Sequence, residues 1–416
     1  MRIAFIDEDL SLRTGSRRFT YEVTRQLQML GHKVNVFTTK MDRQTCFKKY
    51  LSLPVEVVSG RASPSLKVLK ETLKHKRDFP LVEVANNFNH CLAQSRRAMD
   101  ISRKVAEIGS DVAMVHYHGE HWLSPFFYFL NETKGVAYLN VVPPAPRPHA
   151  LPFQELTVRR RMVDSLLNLP PMGNWKRRSF SKLALFVAPS RYLIDQAQRR
   201  HKLGNREAVV VPLGVDHSEF CPTGEEEPFA LYAGRIHPHK SLELAVLAME
   251  NTESAYSLVI AGDIDEQHLW YKEKLVRLAE KVGISDRFQM VLFPSDSEIV
   301  RLMQRCAAFL FPSTIDTFGL VVLEAMACGK PMIACDRGGV PEIVGNAGFL
   351  LEPNIGQWQK TVNRVLSDPV LRQEAGIRAL ERSRAFSWEK TTERLLQTFE
   401  RTIGLHSVVR ETPYPA

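Results

Sequence analysis

Residues 312–331, PSTIDTFGLVVLEAMACGKP, bring together the groups that hold hydroxyls and anions. An apolar run ends at Phe311, a loop carries Asp316, and the spacing predicts a helix from about Phe318. A helix N-terminus offers unpaired N–H groups to phosphate or sugar oxygens. Carboxylates such as Asp316 and Glu324 accept hydrogen bonds from vicinal hydroxyls, and helical periodicity puts Glu324 on roughly the side of the Asp316–Thr317 entry. The same two acids also suit a helix-dipole partner and an ordinary helical glutamate. Upstream, Gly234-Arg235 follows the apolar run Phe229–Ala233, and Lys240 stands five residues on. Those two cations could clamp a diphosphate or simply be solvated. In residues 9–20, DLSLRTGSRRFT, Gly15 and Ser16 open a helix, with Arg17 and Arg18 adding charge; this is an anion site or a plain helix cap. The run Val115-His116-Tyr117-His118 ends a strand with two histidines. They could ligate a metal only with a third ligand of suitable spacing, and none is obvious, although Glu120 and His121 are close.

These groups need a scaffold, and the pattern supplies one. Short apolar runs alternate with helical segments along the whole chain. In the first half they are Arg2–Asp7, Val34–Thr38, Val55–Val58, Val112–His116, Val136–Val142, Leu183–Ala188 and Val209–Val211. In the second half they are Phe229–Ala233, Ser257–Ala261, Phe288–Leu292, Ala308–Phe311, Pro331–Ala334 and Gly348–Leu351. Continuous apolar runs separated by helices predict parallel sheets covered on both faces, and two such sets predict two doubly wound α/β domains. Ligands of such sheets bind beyond the carboxyl ends of the strands, so two domains facing one another would place a site in the cleft between them.

The composition agrees with a folded, soluble-type chain. Its 416 residues suffice for two or three domains, with 44% apolar and 24% charged residues. No apolar run reaches the ~18–20 residues of a membrane span, and the segment MRIAFIDEDL does not read as a signal peptide. Six scattered cysteines form no CxxC pair and read as reduced thiols, consistent with a cytoplasmic protein. Charge is divided unevenly: residues 1–212 carry a net +16 and residues 213–416 a net −7. The basic half should attract anionic lipid or phosphorylated ligands. Nucleic-acid binding would explain the charge but none of the motifs. Residues 61–77, RASPSLKVLKETLKHKR, are either an amphipathic helix for an anionic membrane surface or a solvated helix; Arg159–Arg161 and Lys176–Arg178 add to this basic character. The proline-rich stretch Pro143–Pro152 is a connector or a groove wall. Asp7-Glu8-Asp9 and Asp263-Ile264-Asp265 imitate the metal-binding DxD of a different fold; Ile260-Ala261-Gly262-Asp263 fits a strand end and reads as a cleft-lining loop rather than a metal site.

Taken in order, several blocks resemble glycosyltransferase family 4, the retaining nucleotide-sugar transferases of the GT-B fold. Asp316-Thr317-Phe318-Gly319-Leu320 through Glu324, followed by Ala-Met-Ala-Cys-Gly-Lys-Pro, resembles its signature. Val211-Pro212-Leu213-Gly214-Val215-Asp216, Ala233-Gly234-Arg235 with Lys240, Gly338-Gly339-Val340-Pro341-Glu342-Ile343-Val344 and Phe386-Ser387-Trp388-Glu389 resemble further family blocks, and Gly31-His32-Lys33-Val34 resembles the start of its second strand. The resemblance implies a GT-B architecture, two Rossmann-like domains across a deep cleft. Residues 1–212 would bind the acceptor and 213–385 the nucleotide-sugar, and 386–416 would be a helix and tail packing back toward the first domain. Arg235 and Lys240 would bind the donor diphosphate and Glu324 the ribose. Asp316 would meet the donor sugar's hydroxyls, with backbone contacts from Phe318, Gly319 and Leu320. Gly15 and Ser16 would close on the phosphate, and His118 would stand near the reacting carbon.

The resemblance further implies retention by front-side attack, with no metal and no cofactor beyond the nucleotide-sugar co-substrate. The acceptor would be a hydroxyl of a glycan, a lipid-linked sugar or a small molecule, with an anionic membrane surface as a further partner and nucleic acid none. Three departures stand out. Asp316 replaces the usual Glu and is one methylene shorter; the first-loop pair reads Gly15–Ser16; and Ser241 follows Lys240 where glycine is usual. A non-catalytic nucleotide-sugar sensor, sugar-nucleotide epimerisation and phosphorolysis are the competing readings.

Overall fold

Each apolar run named above forms a strand, with ends displaced by up to three residues. The computed structural model describes residues 1–10, 15–42, 46, 48–58, 97–117, 133–139, 183–201, 207–250, 252 and 255–404. His118, the segments 61–77 and 143–152, and the basic clusters at 159–161 and 176–178 lie outside the described residues. The described chain divides into two units: residues within 1–188, 196–210 and 394–404 form the first, and those within 189–195 and 211–393 form the second.

In the first unit the strands are β1 (Arg2–Asp9), β2 (Lys33–Lys40), β3 (Val55–Val57), β4 (Val112–Tyr117), β5 (Lys134–Leu139), β6 (Leu183–Ala188) and β7 (Ala208–Val210). They pair in the order β3-β2-β1-β4-β5-β6-β7, all parallel. Parallel pairing requires crossovers, and the helix Gly15–Met29 is the first of these. Its Phe19, Val23 and Leu27 are fully buried, as an apolar stripe at helical spacing must be. Phe19 stacks on Tyr138 of β5, ring centroids 4.3 Å apart. Gly31, at φ 83°, lets the chain turn from this helix into β2.

The second unit repeats the plan with β8 (Phe229–Ala233), β9 (Ser257–Gly262), β10 (Phe288–Leu292), β11 (Ala308–Phe311), β12 (Met332–Cys335) and β13 (Phe349–Leu351). Their order, β10-β9-β8-β11-β12-β13, is again parallel throughout. Counted from its own first strand, the second sheet runs 3-2-1-4-5-6, the doubly wound order of Rossmann-like domains, and the first follows the same order with a seventh strand added at the end. Side-chain caps set the later helices. Asn354 accepts from Gln357 N (3.0 Å) to start Ile355–Ser367, and Asp368 accepts from Val370 N and Leu371 N (3.1 and 3.0 Å) to start Pro369–Ser383. Trp358 anchors the former; its ring is fully buried and its Nε1 donates to Glu352 O (3.1 Å).

Candidate functional site

The order of the second sheet reverses between β8 and β11, and at such a switch point the following loops part and leave a crevice at the strands' carboxyl ends. The loop after β8 carries Arg235 and Lys240; the loop after β11 carries Asp316. They meet there: Lys240 Nζ lies 2.6 Å from Asp316 Oδ2, with the two side chains only 18% and 16% exposed. Lys240 Nζ also sits 5.6 Å from the ring centroid of Phe311, so the ammonium rests over an aromatic face. The other carboxylate oxygen of Asp316 accepts from Phe318 N (3.2 Å).

The β8 loop is held tightly to its neighbour. Gly234 N donates to Ala261 O (3.0 Å) and Ile236 N to Asp263 O (2.8 Å). A Cβ on Gly262 would fall 1.8 Å from Gly234 O, so the two loops approach too closely for any side chain there. Tyr232, fully buried in β8, donates its hydroxyl to Arg235 O (3.0 Å). Burial above all, then the nearby Asp316 charge, pushes its phenol pKa well above the usual range, keeping it a donor. Arg235 itself is exposed. The turn Pro238–Lys240 passes into the helix Leu242–Ala248 through Ser241, which adopts φ 53°, ψ 40°. This left-handed conformation accounts for a preference for glycine at the position.

Three histidines border this loop. His237 and His239 have ring centroids 4.6 Å apart, and His237 and His268 4.2 Å apart. Burial first, then the neighbouring His268, Arg235 and His239, lowers the His237 pKa from 6.5 to about 4. It is therefore neutral near pH 7, beside the cations Arg235 and Lys240 of the same loop. Among the described residues no group of three or more His, Cys, Asp or Glu side chains is placed to hold a metal ion.

After β11 the structure corrects one sequence expectation. The helix begins at Leu320 rather than near Phe318, and Gly319, at φ 96°, is its N-cap. Asp316 folds its carboxylate onto Phe318 N, making a turn that postpones the helix. Glu324 stands one turn into Leu320–Ala327 and is 5% exposed. The structure thus joins Lys240 to Asp316 and the Phe318 backbone, and it places Arg235, Gly319, Leu320 and Glu324 on the same two connections. Gly15 opens the first helix of the other unit, and Ser16 follows it.

That unit has its own polar centre, where β1 and β4 adjoin at the reversal of the first sheet. Asp7 and His116 are fully buried, with His116 Nδ1 3.6 Å from Asp7 Oδ2 and His116 Nε2 2.9 Å from Thr20 Oγ1. Arg17 was expected to add charge for an anion. Instead it is 7% exposed, lies 3.2 Å from Asp7 Oδ1, and donates to Asp9 O at 2.9 and 2.7 Å. A buried carboxylate demands a paired cation, and Asp7 takes this one. Asp7 is consequently part of an internal ion pair rather than of a DxD motif.

Two doubly wound parallel sheets, with a lysine, an arginine and two acids on the connections at one switch point, define a protein of two Rossmann-like units. Residues 13–219 match the model of glycosyltransferase family 4, and residues 217–382 match that of glycosyl transferases group 1. The chain belongs to this glycosyltransferase family. It is 32% identical over 218 residues to the D-inositol 3-phosphate glycosyltransferases of Mycobacterium bovis and Mycobacterium tuberculosis, a match covering 50% of this chain and 42% of each relative. The match thus spans less than half the length of these curated relatives.

Solved structures share the fold over nearly the whole chain. A glycosyltransferase from Rickettsia africae ESF-5 superimposes with a TM-score of 0.68 at 17% identity, covering 97% of this chain and 98% of that one. An Anabaena protein solved with UDP and glucose gives 0.70 at 18%, covering 96% and 100%. Sucrose-phosphate synthase from Thermosynechococcus elongatus gives 0.67 at 18%, covering 97% and 100%.

Proposed function

We propose that this protein is a retaining glycosyltransferase that moves a sugar from a nucleoside diphosphate sugar to a hydroxyl acceptor, without a metal ion. The observation that carries this reading is the Lys240–Asp316 pair at the β8/β11 switch point, with Arg235 on the same loop as Lys240. A cation and a carboxylate side by side match a diphosphate joined to a polyhydroxylated ring: the one takes phosphate oxygens, the other accepts from hydroxyls. Glu324 is the candidate for the ribose hydroxyls, and the backbone of Phe318, Gly319 and Leu320 for the phosphate or sugar oxygens. In the proposed reaction the acceptor oxygen attacks the anomeric carbon on the face the diphosphate leaves. The bond from that carbon to the phosphate oxygen breaks, the bond to the acceptor oxygen forms, and the acceptor proton passes to the departing phosphate. Arg235 and Lys240 stabilise the charge that grows on the leaving diphosphate.

Residues 213–385 are assigned the donor and 1–212 the acceptor, with His118 the candidate near the reacting carbon and Gly15 and Ser16 those that close on the donor phosphate from the first domain. The net +16 of residues 1–212 favours an anionic acceptor or an anionic membrane surface. Uridine diphosphate, bound by the Anabaena neighbour, and a phosphorylated inositol, named in the mycobacterial relatives, are the first donor nucleotide and acceptor to try. Among the described residues no helix is long and apolar enough to cross a membrane, and a cytoplasmic enzyme, peripheral on the membrane, is the proposed setting. The test is acceptor-dependent release of nucleoside diphosphate, with the product's anomeric configuration read by NMR. Retained configuration supports the proposal; inversion removes the front-side route, and no release from any nucleotide-sugar favours a sensor.

A further inference from the structure

The backbone that carries Asp316 is gripped from two distant parts of the chain. On one side stands Ser190, fully buried, immediately before the helix Arg191–His201. Its hydroxyl donates to Thr317 O at 2.6 Å and accepts from Leu193 N at 3.2 Å. On the other side Gly339 N donates to Asp316 O at 2.9 Å. The fit allows nothing larger: a Cβ on Gly338 would lie 2.4 Å from Asp316 O, and one on Gly339 would lie 2.4 Å from Thr317 O. Two successive carbonyls, those of Asp316 and Thr317, are thus held by separate donors.

Glu342 closes the arrangement. Its Oε2 accepts from Arg191 N (2.8 Å) and its Oε1 from Tyr192 N (2.7 Å), fixing the turn that presents Ser190. Glu342 is itself held by Arg382, which donates to the carbonyls of Glu342 (3.1 Å) and Ile343 (3.0 Å). We propose that Ser190 and Glu342 are positioning residues: they set the backbone of Asp316 and Thr317, and through it the place of the Asp316 carboxylate against the donor sugar. This rests on the donor reading given above. An aspartate has one rotatable bond fewer than a glutamate, so its carboxylate follows the backbone more closely. A loop that uses Asp rather than Glu needs its carbonyls held more firmly, and the Ser190 hydroxyl does so.

The experiment compares affinities for a free nucleotide and for its sugar conjugate. UDP, GDP and ADP, and UDP-glucose, GDP-mannose and ADP-glucose, are titrated calorimetrically into the wild type, Ser190→Ala, Ser190→Thr and Glu342→Gln. In Ser190→Ala the nucleotide should bind within about twofold of wild type while its sugar conjugate weakens about tenfold, the order of one lost buried hydrogen bond. Ser190→Thr, which keeps the hydroxyl, should restore the ratio. Glu342→Gln, which loses one of two acceptors, should shift it part of the way and decides the matter if the alanine variant fails to fold. Equal weakening of nucleotide and conjugate, or an unchanged ratio, overturns the inference and leaves the donor reading standing. Failure of the wild type to bind any nucleotide or conjugate overturns both.

Discussion

Lys240 and Asp316 come from loops 76 residues apart in sequence and meet at 2.6 Å where the strand order of the second sheet reverses. The pair is mostly shielded from water, so its attraction is screened less than that of a surface ion pair. A diphosphate arriving at Lys240 has to compete with this carboxylate.

Replacing Asp316 by Asn keeps the shape and the acceptor for Phe318 N while removing the competing charge. Asp316→Asn should therefore bind free nucleoside diphosphate more tightly, about 3–10-fold, and should transfer sugar more slowly. Affinity by calorimetry and turnover by product release measure both arms. Weaker nucleotide binding in this variant would mean that Asp316 does not oppose the phosphate.

Ser241 occupies left-handed backbone space at φ 53°. A glycine there escapes the roughly 1–2 kcal/mol strain of an L-residue but gives back about 0.5–1 kcal/mol of unfolded-chain entropy. Ser241→Gly should consequently be neutral to about 1 kcal/mol stabilising in urea denaturation. Clear destabilisation would show that the serine side chain contributes something its backbone geometry does not reveal.

His237 makes stability depend on pH in a defined window. Its pKa falls from 6.5 in the unfolded chain to about 4 in the fold, so the folded state binds the proton less readily. The stability associated with the neutral ring is complete above about pH 6.5 and is lost as pH drops toward 4. His237→Asn, which can still accept from His239 N, should lose less stability than the wild type between pH 7.5 and 5. Urea midpoints at those two pH values give the comparison, and parallel losses would remove His237 from the acid limb.

Gly262 tests the closeness of the β8 and β9 loops. Because a Cβ there would meet Gly234 O at 1.8 Å, Gly262→Ala must displace the backbone that presents Arg235. The variant should be destabilised by about 2 kcal/mol or more and should bind nucleotide poorly. An alanine tolerated on both counts would mean that the loops separate easily.

The strands were legible because parallel strands buried on both faces must be continuously apolar; Ala308–Phe311 and Phe229–Ala233 need no distant information to be recognised. Lys240 and Asp316 were legible as residue types at strand ends, although their pairing was not. The helix start was misjudged because it depends on the turn that Asp316 makes with Phe318 N and on the left-handed Gly319, details that periodicity does not carry. The partner of Arg17 was not legible because Asp7 lies inside the sheet, where a buried carboxylate has to be neutralised. Ser190 and Glu342 were missed for a related reason: their hydrogen bonds span 127 and about 150 residues and leave no mark on local pattern. Glu342 did lie within a family-like block, and that was its one sequence signal.

If the β8/β11 switch point binds a nucleoside diphosphate sugar through Lys240, calorimetric titration of the wild type and Lys240→Ala with UDP, GDP, ADP and their sugar conjugates will show it. One nucleotide and its conjugate should bind the wild type, and Lys240→Ala should weaken that binding severely and lower turnover by about 10²-fold or more. Binding that survives unchanged in Lys240→Ala, or no binding by the wild type, would contradict it.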